Sequence, residues 1–319
     1  MNTVYFLVQQ MMFFSIPLLL VALGGMFSER SGVVNIALEG IMVCGAFFSI
    51  LFISQVDDFM SGQGLLLIAI LIAIGSGLVF SVLHAYAAIN LRSDQTISGT
   101  ALNMIAPGAA VYLARSIQTN GVQQVNFINT FRIEKVPFLG DIPFIGPMLF
   151  QNCYITTYIG IAVFIISAFV LHRTRFGLRL RSCGEHPQAA DSVGINVYKM
   201  RYAGVLISGA LAGLGGLVYV IPTSTDFNAT VSGYGFLALA VLIFGQWTPK
   251  KIFFAALFFG FMKAIASSYS GIPFLQVLGI PSDIYKMIPY LATLTVLAFS
   301  SKKSQAPRAS GIPYDKGER

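Results

Sequence analysis

The stretch FMSGQGLLLIAILIAIGSGLVFSVLHAYAAINL, residues 59–91, contains no Asp, Glu, Lys or Arg. An α-helix needs about 20 apolar residues to cross the hydrocarbon core of a bilayer, so this stretch is long enough for one crossing. Because backbone polar groups in lipid must bond within their own segment, a helix is the expected element. The stretch therefore predicts a transmembrane helix.

Four more charge-free runs of similar length occur along the chain. They cover residues 1–28, 142–172, 202–225 and 227–249. Over all 319 residues, 55% are hydrophobic and only 10% are charged, against about 25% charged in a typical soluble domain. The ten-residue alternating segments of a membrane β-barrel do not occur. This composition argues against a soluble enzyme and predicts an all-α polytopic membrane protein.

We assign about nine transmembrane helices, with a range of about eight to ten, to one transmembrane domain over residues 1–300. They cover residues 4–27, 33–53, 65–90, 96–115, 154–172, 202–222, 234–247, 252–267 and 284–300. The segments 234–247 and 252–267 are shorter than a full crossing, so we expect broken, tilted or re-entrant helices there.

Basic residues are concentrated on one side of this arrangement. The stretch 173–201, the pair Lys250 and Lys251, and the C-terminal tail together carry 13 of them. The loops on the opposite side carry only Arg132 and Lys135. Because cytoplasmic loops are enriched in Lys and Arg, the first side is predicted to face the cytoplasm.

This assignment fixes the predicted orientation of the whole chain. The N-terminus and the loop 116–153 are expected outside, and the loop 173–201 is expected in the cytoplasm. The tail 301–319 is polar and is expected to be cytoplasmic and disordered. The net charge of +7 then reflects topology in a lipid bilayer, and we expect no nucleic-acid partner.

The cytoplasmic stretch RTRFGLRLRSCGEHPQAADSVGINVYKMRY, residues 173–202, contains the signals of a short helix. Pro187 suits the first helical position, where its missing N–H costs nothing, and Gly194 suits the C-terminal cap. The small residues Ala189 and Ala190 would let another protein surface approach closely. An ordinary solvated loop helix is the alternative interpretation.

A carboxylate lies in the apolar segment ERSGVVNIALEGIMVCGAFF, residues 29–48. A charge at the centre of a bilayer costs about 2.5–3.5 kcal/mol on insertion scales, so Glu39 is expected to face protein or a water-filled cavity. Asn35 lies one turn earlier. Glu39 either is a structural anchor, bonded to backbone or to Arg30, or lines a translocation path.

The segment 204–222 is rich in glycine, with Gly209 and Gly213 four positions apart. Small residues at this spacing allow close packing of helices in lipid. We interpret this segment as a packing surface and not as a ligand site.

A weak internal repeat relates the two halves of the chain. Four residues recur at a constant offset of 201 positions. They are Ser31, Gly32, Ala37 and Leu38, matched by Ser232, Gly233, Ala238 and Leu239. The predicted topology runs these segments in opposite directions, which makes them a candidate inverted repeat. Paired broken segments in inverted halves are typical of a transport pathway.

Motifs for energy conversion or catalysis do not occur in the sequence. There is no GxxxxGK[ST] phosphate loop, no HExxH and no GxSxG, and the scattered cysteines and histidines suggest neither a disulfide framework nor a metal site. Energy for uphill transport would come from a partner or an ion gradient. Lys263 and Lys286 lie in apolar segments, where they fit an ion-coupled path or snorkelling to the interface.

Three ordered motifs carry a family resemblance over roughly residues 15–300. They are ERSGVVNIALEG (29–40), GEHPQAADSVGINV (184–197) and GYGFLALAVLIFGQWTP (233–249). Together they resemble the branched-chain amino acid/ribose class of ABC importer permeases. Within that class they are most similar to permeases of nucleoside importers that use a basic-membrane-protein-type lipoprotein receptor.

The resemblance implies a permease subunit of an ATP-driven nucleoside importer in the bacterial cytoplasmic (inner) membrane. Ribose, another sugar or a branched-chain amino acid are alternative cargoes, and an ion-coupled secondary transporter is a competing class. The implied partners are a cytoplasmic ABC ATPase, a second homologous permease and a substrate-binding lipoprotein. The ATPase would bind ATP, so the chain itself would need no catalytic residue, cofactor or metal.

The resemblance also implies two groups of site residues. A coupling helix that docks on the ATPase would be formed by Gly184, Glu185, Pro187, Ala189, Ala190, Asp191 and Gly194. The candidates that line the pathway are polar residues with one aromatic ring, which suit the hydrogen-bonding edges and the stackable base of a nucleoside. They are Asn35, Glu39, Asn103 and Phe236.

Overall fold

The computed structural model describes residues 2–57, 59–118, 121–269, 281–300 and 305–317. Eleven α-helices lie in these ranges: α1 (Asn2–Arg30), α2 (Leu38–Val56), α3 (Gln63–Ile89), α4 (Gln95–Ile117), α5 (Ile155–Arg173), α6 (Arg175–Glu185), α7 (Pro187–Ser192), α8 (Val197–Thr223), α9 (Tyr234–Phe244), α10 (Pro249–Ser268) and α11 (Ser282–Ser300). Four short strands accompany them: β1 (Val125–Asn126), β2 (Ile133–Lys135), β3 (Gln151–Cys153) and β4 (Asp226–Phe227).

Within the described ranges, seven helices are long and apolar enough to cross a membrane, namely α1, α2, α3, α4, α5, α8 and α10. They account for seven of the nine predicted crossings. The other two correspond to α9, which has only 11 residues, and to α11, which has 19. The all-α polytopic fold is therefore confirmed. The segment 234–247 is short as predicted, whereas 252–267 belongs to a full-length helix of 20 residues.

Two predicted boundaries are wrong by about one turn. Residues 31–37 are not helical, so α2 begins at Leu38 and not at residue 33. In contrast, α8 begins at Val197, before the predicted residue 202. The predicted loop 173–201 consequently contains α6, α7 and the first turn of α8, where the Asn196 side chain accepts a hydrogen bond from the backbone N–H of Lys199 at 3.0 Å.

The helix α8 lies at the centre of the fold and packs against α1, α2 and α3. Its glycines permit this packing. A Cβ on Gly213 would overlap the backbone of α3 at Ala73, and a Cβ on Gly216 would overlap the carbonyl of Met42 in α2. The glycine-rich segment thus brings three helices into close contact, which confirms the packing role predicted from the spacing.

Short antiparallel strands organise the polar loop at the end of the bundle where α2 ends and α3 begins. Strand β1 pairs with β4, so that Asn126 faces Asp226, and β2 pairs with β3. We call this the sheet end. At the opposite end lie α6 and α7, and we call it the loop end.

The C-terminal tail differs from the expectation of disorder. Residues 305–317 form turns that lie against the loop end, where Ala309 and Tyr314 are buried. The backbone N–H of Ala309 donates to the carbonyl of Gly184 at 2.8 Å. Order arises here because distant loops supply partners for a polar segment. The basic residues Lys302, Lys303 and Arg319, and most of the predicted loop 268–283, lie outside the described residues.

Candidate functional site

Two helices begin inside the bundle and not at its surface. The helix α2 follows the non-helical residues 31–37, which we call the first break, and α9 follows residues 224–233, which we call the second break. The first break enters from the loop end and the second from the sheet end. Asn35 in the first break contacts Ser208, which is 11 positions into α8 and hence roughly 16 Å from its start.

The N-terminal ends of α2 and α9 meet at Glu39. Its carboxylate accepts hydrogen bonds from the backbone N–H groups of Gly233 at 2.9 Å and Gly235 at 2.6 Å. A Cβ on Gly235 would overlap the backbone of Glu39, so this approach requires glycine. The N-terminus of a helix carries a partial positive charge, and a carboxylate there is stabilising. Glu39 therefore holds the N-terminal ends of α2 and α9 together.

This arrangement shows which groups the Glu39 carboxylate is bonded to. The carboxylate is bonded to backbone, as the structural interpretation predicted, and not to Arg30. Arg30 instead donates to the carbonyl of Trp247 at 3.1 Å and pairs with Glu185 at 3.4 Å. Glu39 is nevertheless only partly buried, so it also contributes to the surface around the junction.

Asn103 in α4 satisfies two backbone groups next to the same junction. Its Oδ1 accepts from the N–H of Gly40 at 2.7 Å, and its Nδ2 donates to the carbonyl of Ile36 at 2.8 Å. Both groups are left without helical partners by the first break. Since an unpaired backbone group in lipid costs several kcal/mol, Asn103 makes the break tolerable.

The four predicted pathway residues do not all occupy equivalent positions. Asn35 is fully buried, where it donates to Ser208 at 2.9 Å and accepts from the N–H of Ala37 at 3.1 Å. It supports the first break and has no open surface. Phe236 lies in the first turn of α9 with 49% of its surface exposed. Glu39 and Asn103 are partly buried and Phe236 is exposed, so these three members keep some accessible surface.

Two residues that sequence reasoning did not single out complete the first break. The Val34 backbone N–H donates to Gln95 Oε1 at 2.7 Å, and the Val34 carbonyl lies 2.9 Å from His84 Nε2. Ser98 Oγ lies 3.0 Å from His84 Nδ1. His84 and Gln95 are buried polar residues in or next to apolar runs, and that is the signal that would have identified them.

A polar cavity lies at the mouth of each break. The sheet-end cavity has a volume of about 240 Å³ and is lined by residues that include Tyr219, Thr223, Asp226, Asn228 and Ser232. The loop-end cavity has a volume of about 230 Å³ and is lined by Val34, Arg92, Ser93, Asp94, Gln95, Thr96, Gly311 and Pro313. The junction of α2 and α9 at Glu39 lies between the two cavities.

A larger cavity of about 540 Å³ has a different character. It lies between α2 and α3 and is almost wholly apolar, with Cys44, Phe48 and Phe80 in its wall. An apolar wall of this kind suits a lipid chain or another helix and offers little to a polar solute. We therefore assign the polar cavities, and not this one, to the candidate route.

A second candidate site is the exposed surface of α7 at the loop end. Pro187 occupies the first turn of this helix, and Gly194 has a φ of +83° after its end, both as predicted. Ala189 is exposed, but Ala190 is buried and only 3% exposed. Of the two small residues, only Ala189 is therefore available to an approaching surface.

The remaining residues of the predicted coupling group secure the helix to the bundle. Gly184 is buried, and a Cβ there would overlap the carbonyl of Arg30. Glu185 pairs with Arg30 at 3.4 Å. Beside α7, Val193 is 73% exposed. Asp191 is partly buried within α7. The surface available to a partner thus centres on Ala189 and Val193.

The bundle of helices, the two breaks and the two polar cavities together define a polytopic membrane transport component. A family model for the permease component of branched-chain amino acid transport systems matches residues 7–297. The chain therefore belongs to this permease family and is a multi-pass protein of the bacterial inner membrane.

Individual relatives match over most of the chain. The guanosine ABC transporter permease protein NupQ of Bacillus subtilis is 48% identical over 96% of this chain and 95% of its own length. The nucleoside ABC transporter permease protein NupC of Lactococcus lactis is 42% identical over 99% of both chains. The nucleoside ABC transporter permease protein NupB of the same organism is 26% identical over 95% of this chain and 84% of its own. No solved structure matches the chain.

Proposed function

We propose that the chain is the permease subunit of an ATP-driven nucleoside importer. The observation that carries this proposal is the similarity, over nearly the whole chain, to two permeases whose names specify guanosine and nucleosides as cargo. The chain forms the route for the nucleoside and takes its energy from a separate ABC ATPase. ATP is bound by that partner, and this subunit carries no ATP site, cofactor or metal of its own.

The loop end faces the cytoplasm and the sheet end faces outside. The bias of basic residues towards the loop end supports this orientation. A substrate-binding lipoprotein then delivers the nucleoside at the sheet end. The exposed surface of α7, centred on Ala189 and Val193, docks on the ATPase, while Gly184 and Glu185 at the end of α6 contact Arg30 of α1.

A second homologous permease completes the transmembrane part. The two Lactococcus lactis relatives, NupC and NupB, are both named as nucleoside permeases, which favours a pair of different permeases over two copies of one chain. The apolar cavity between α2 and α3 is a suitable surface for a neighbouring helix or lipid.

The nucleoside enters through the sheet-end cavity. There the Tyr219 ring offers a face for the base, and the polar groups around Asp226 offer partners for ribose hydroxyls. At the junction, Phe236, Glu39 and Asn103 continue the same combination of an aromatic ring and polar groups. Rocking of the permease halves, driven by the ATPase, opens the route to each side in turn.

The proposal is tested by uptake of radiolabelled guanosine into proteoliposomes that contain the co-purified complex. Uptake should require ATP on the side of the membrane where the ATPase is bound, and it should persist when an uncoupler is added. Uptake that follows an imposed ion gradient without ATP would assign a secondary transporter. Absence of guanosine uptake, together with ATP-dependent uptake of labelled leucine or ribose by the same complex, would assign a different cargo.

The coupling surface is tested by Ala189→Glu, with Ala189→Ser as its matched control. A bulky anion on the exposed side of α7 should separate the permease from the ATPase and abolish uptake, while the protein still accumulates in the membrane. The serine variant should transport normally because the small size is kept. Normal uptake by Ala189→Glu would remove the coupling role from α7.

A further inference from the structure

The C-terminal segment 305–315 crosses the loop end, and we call these residues the strap. It has no regular secondary structure, yet its backbone is bonded at intervals. The N–H of Gln305 donates to Gln246 Oε1 at 2.9 Å, at the corner between α9 and α10. Further along, Ala309 donates to Gly184 and Gly311 donates to the carbonyl of Gly32 at 3.2 Å.

Side chains of α8 secure the second half of the strap. Arg201 of α8 is fully buried and donates from Nη1 to the Ile312 carbonyl at 3.0 Å. The buried Tyr314 ring packs edge-to-face on Tyr198, with 5.4 Å between centroids. The guanidinium of Arg201 lies 5.9 Å from the centre of the Tyr314 ring, within the range of a cation–π contact.

The end of the strap is held by an ion pair. Asp315 pairs with Arg92, in the turn between α3 and α4, at 2.5 Å. A hydrogen bond from the backbone N–H of Gly317, together with Arg92, holds the pKa of the Asp315 carboxyl below its ordinary value. The carboxylate is therefore charged at neutral pH, and the pair is present under physiological conditions.

These contacts add a second link between two regions that also meet directly, because Gly184 and Glu185 contact Arg30 at the end of α1. One is the α6–α7 loop, contacted at Gly184. The other is the first break, contacted at Gly32, only three residues before Asn35. In addition, Gly311 and Pro313 form part of the wall of the loop-end cavity, opposite Val34 and Gln95. The strap is thus attached to the loop and is itself a wall of the cavity.

We propose that the strap transmits movement of the α6–α7 loop to the first break and opens the loop-end cavity to the cytoplasm. This inference rests on the proposed function, because the ATPase supplies the movement of the loop. When the loop is displaced, the bond at Gly184 pulls the strap, which shifts its contacts at Gly32 and at the cavity wall. The strap acts as a positioning element and does not itself bind the nucleoside.

A native thiol reports whether the strap is in place. Cys183 is fully buried and packs with Ala190, Val197 and Tyr314, and burial raises the pKa of its thiol. In a chain with Cys44→Ser and Cys153→Ser, Cys183 should react slowly with a maleimide in detergent. Tyr314→Ala should expose it and raise the labelling rate by about tenfold or more, as expected for a locally opened site. The exposed Lys316→Ala is the matched control and should not change the rate.

The same variants decide whether the strap transmits movement. In proteoliposomes with the ATPase, Tyr314→Ala should retain ATP hydrolysis while guanosine uptake falls several-fold, and Lys316→Ala should match the parent. Asp315→Asn is a milder second variant that weakens only an exposed ion pair, so it keeps the protein folded. It should show a smaller loss of uptake in the same direction.

The possible outcomes separate the strap from the proposed function. Equal labelling of Cys183 in the parent and in Tyr314→Ala would overturn the docking of the strap, whatever the cargo. Faster labelling with unchanged uptake in both variants would overturn its role in transmission. A parent complex that labels as expected but shows no ATP-dependent guanosine uptake would instead contradict the proposed function.

Discussion

The first and second breaks perform the same task, the start of a helix inside the bundle, by different means. In the first break the backbone groups are satisfied by side chains from other helices, among them the buried His84 and Gln95 and the partly buried Asn103. In the second break, Asp226 accepts from the nearby Ser224 at 3.0 Å and Asn228 at 2.7 Å, and also from Gln124 of the sheet-end loop. The first break is bonded largely to side chains of other helices, whereas the second is bonded both within itself and to the sheet-end loop.

The difference extends to exposure and backbone conformation. The second break contains several exposed residues, and Ala229 and Ser232 have φ values of +54°. Such values are uncommon for residues other than glycine and cost free energy. The first break needs a positive φ only at Gly32. The second break is therefore the more exposed of the two and has the less favourable backbone conformation.

The junction should be the most sensitive point of this comparison. Glu39→Ala leaves the N–H groups of Gly233 and Gly235 without their acceptor, at about 1–3 kcal/mol for each buried group. We expect the largest loss of thermal stability in detergent and poor accumulation in the membrane. Glu39→Gln keeps one acceptor oxygen and should lose less. If Glu39→Ala were as stable as the parent protein, other contacts would have to hold α2 and α9 together.

Asn103→Ala should have the next largest effect. It removes partners from the Gly40 N–H and the Ile36 carbonyl, and we expect a loss of about 2 kcal/mol or more in unfolding free energy. Asn103→Asp keeps an acceptor for Gly40 and loses the donor to Ile36, so an intermediate midpoint of thermal unfolding is expected. The account fails here if the aspartate variant is as unstable as the alanine variant.

The supports of Val34 should each contribute less than Asn103. His84→Ala removes the group next to the Val34 carbonyl, and Gln95→Ala removes the acceptor for its N–H, so each should cost about 1–2 kcal/mol. The double variant tests whether they act on one segment. A coupling energy of at least about 0.5 kcal/mol is expected for groups with a shared partner, and strict additivity would indicate two independent sites.

The second break should give the smallest change in stability. After Asp226→Ala, the partly exposed Ser224 and Asn228 can bond to water, which substitutes well for a direct partner. We expect a loss below about 1 kcal/mol together with a raised KM for nucleoside uptake, because Asp226 lines the sheet-end cavity. A large destabilisation with unchanged KM would reverse the contrast between the two breaks.

The sequence predicted those features whose cause is local. Charge-free runs located the spans, because length and polarity alone decide whether a segment can cross lipid. Pro187 and Gly194 bounded α7 correctly, since helix caps depend on neighbouring residues. The burial cost of Glu39 correctly indicated that it needs a protein partner or a water-filled cavity.

What was missed depends on residues far apart in the chain. The segment after Ser31 is apolar except for Asn35 and Glu39, and neither residue by itself indicates that α2 begins only at Leu38. The partners of Glu39 lie 194 and 196 positions away. The strap is polar by composition, and its order depends on Gly184, Gly32 and Arg201, which no local pattern connects.

The central claim is that the two breaks enter the membrane from opposite sides and meet at Glu39. It is tested most directly by labelling single cysteines in a variant without its native thiols. Asn228→Cys, in the sheet-end cavity, should react with an impermeant maleimide in intact cells. Thr96→Cys, in the loop-end cavity, should react only after the cells are permeabilised. Labelling of both positions from the same side of the membrane would contradict the account.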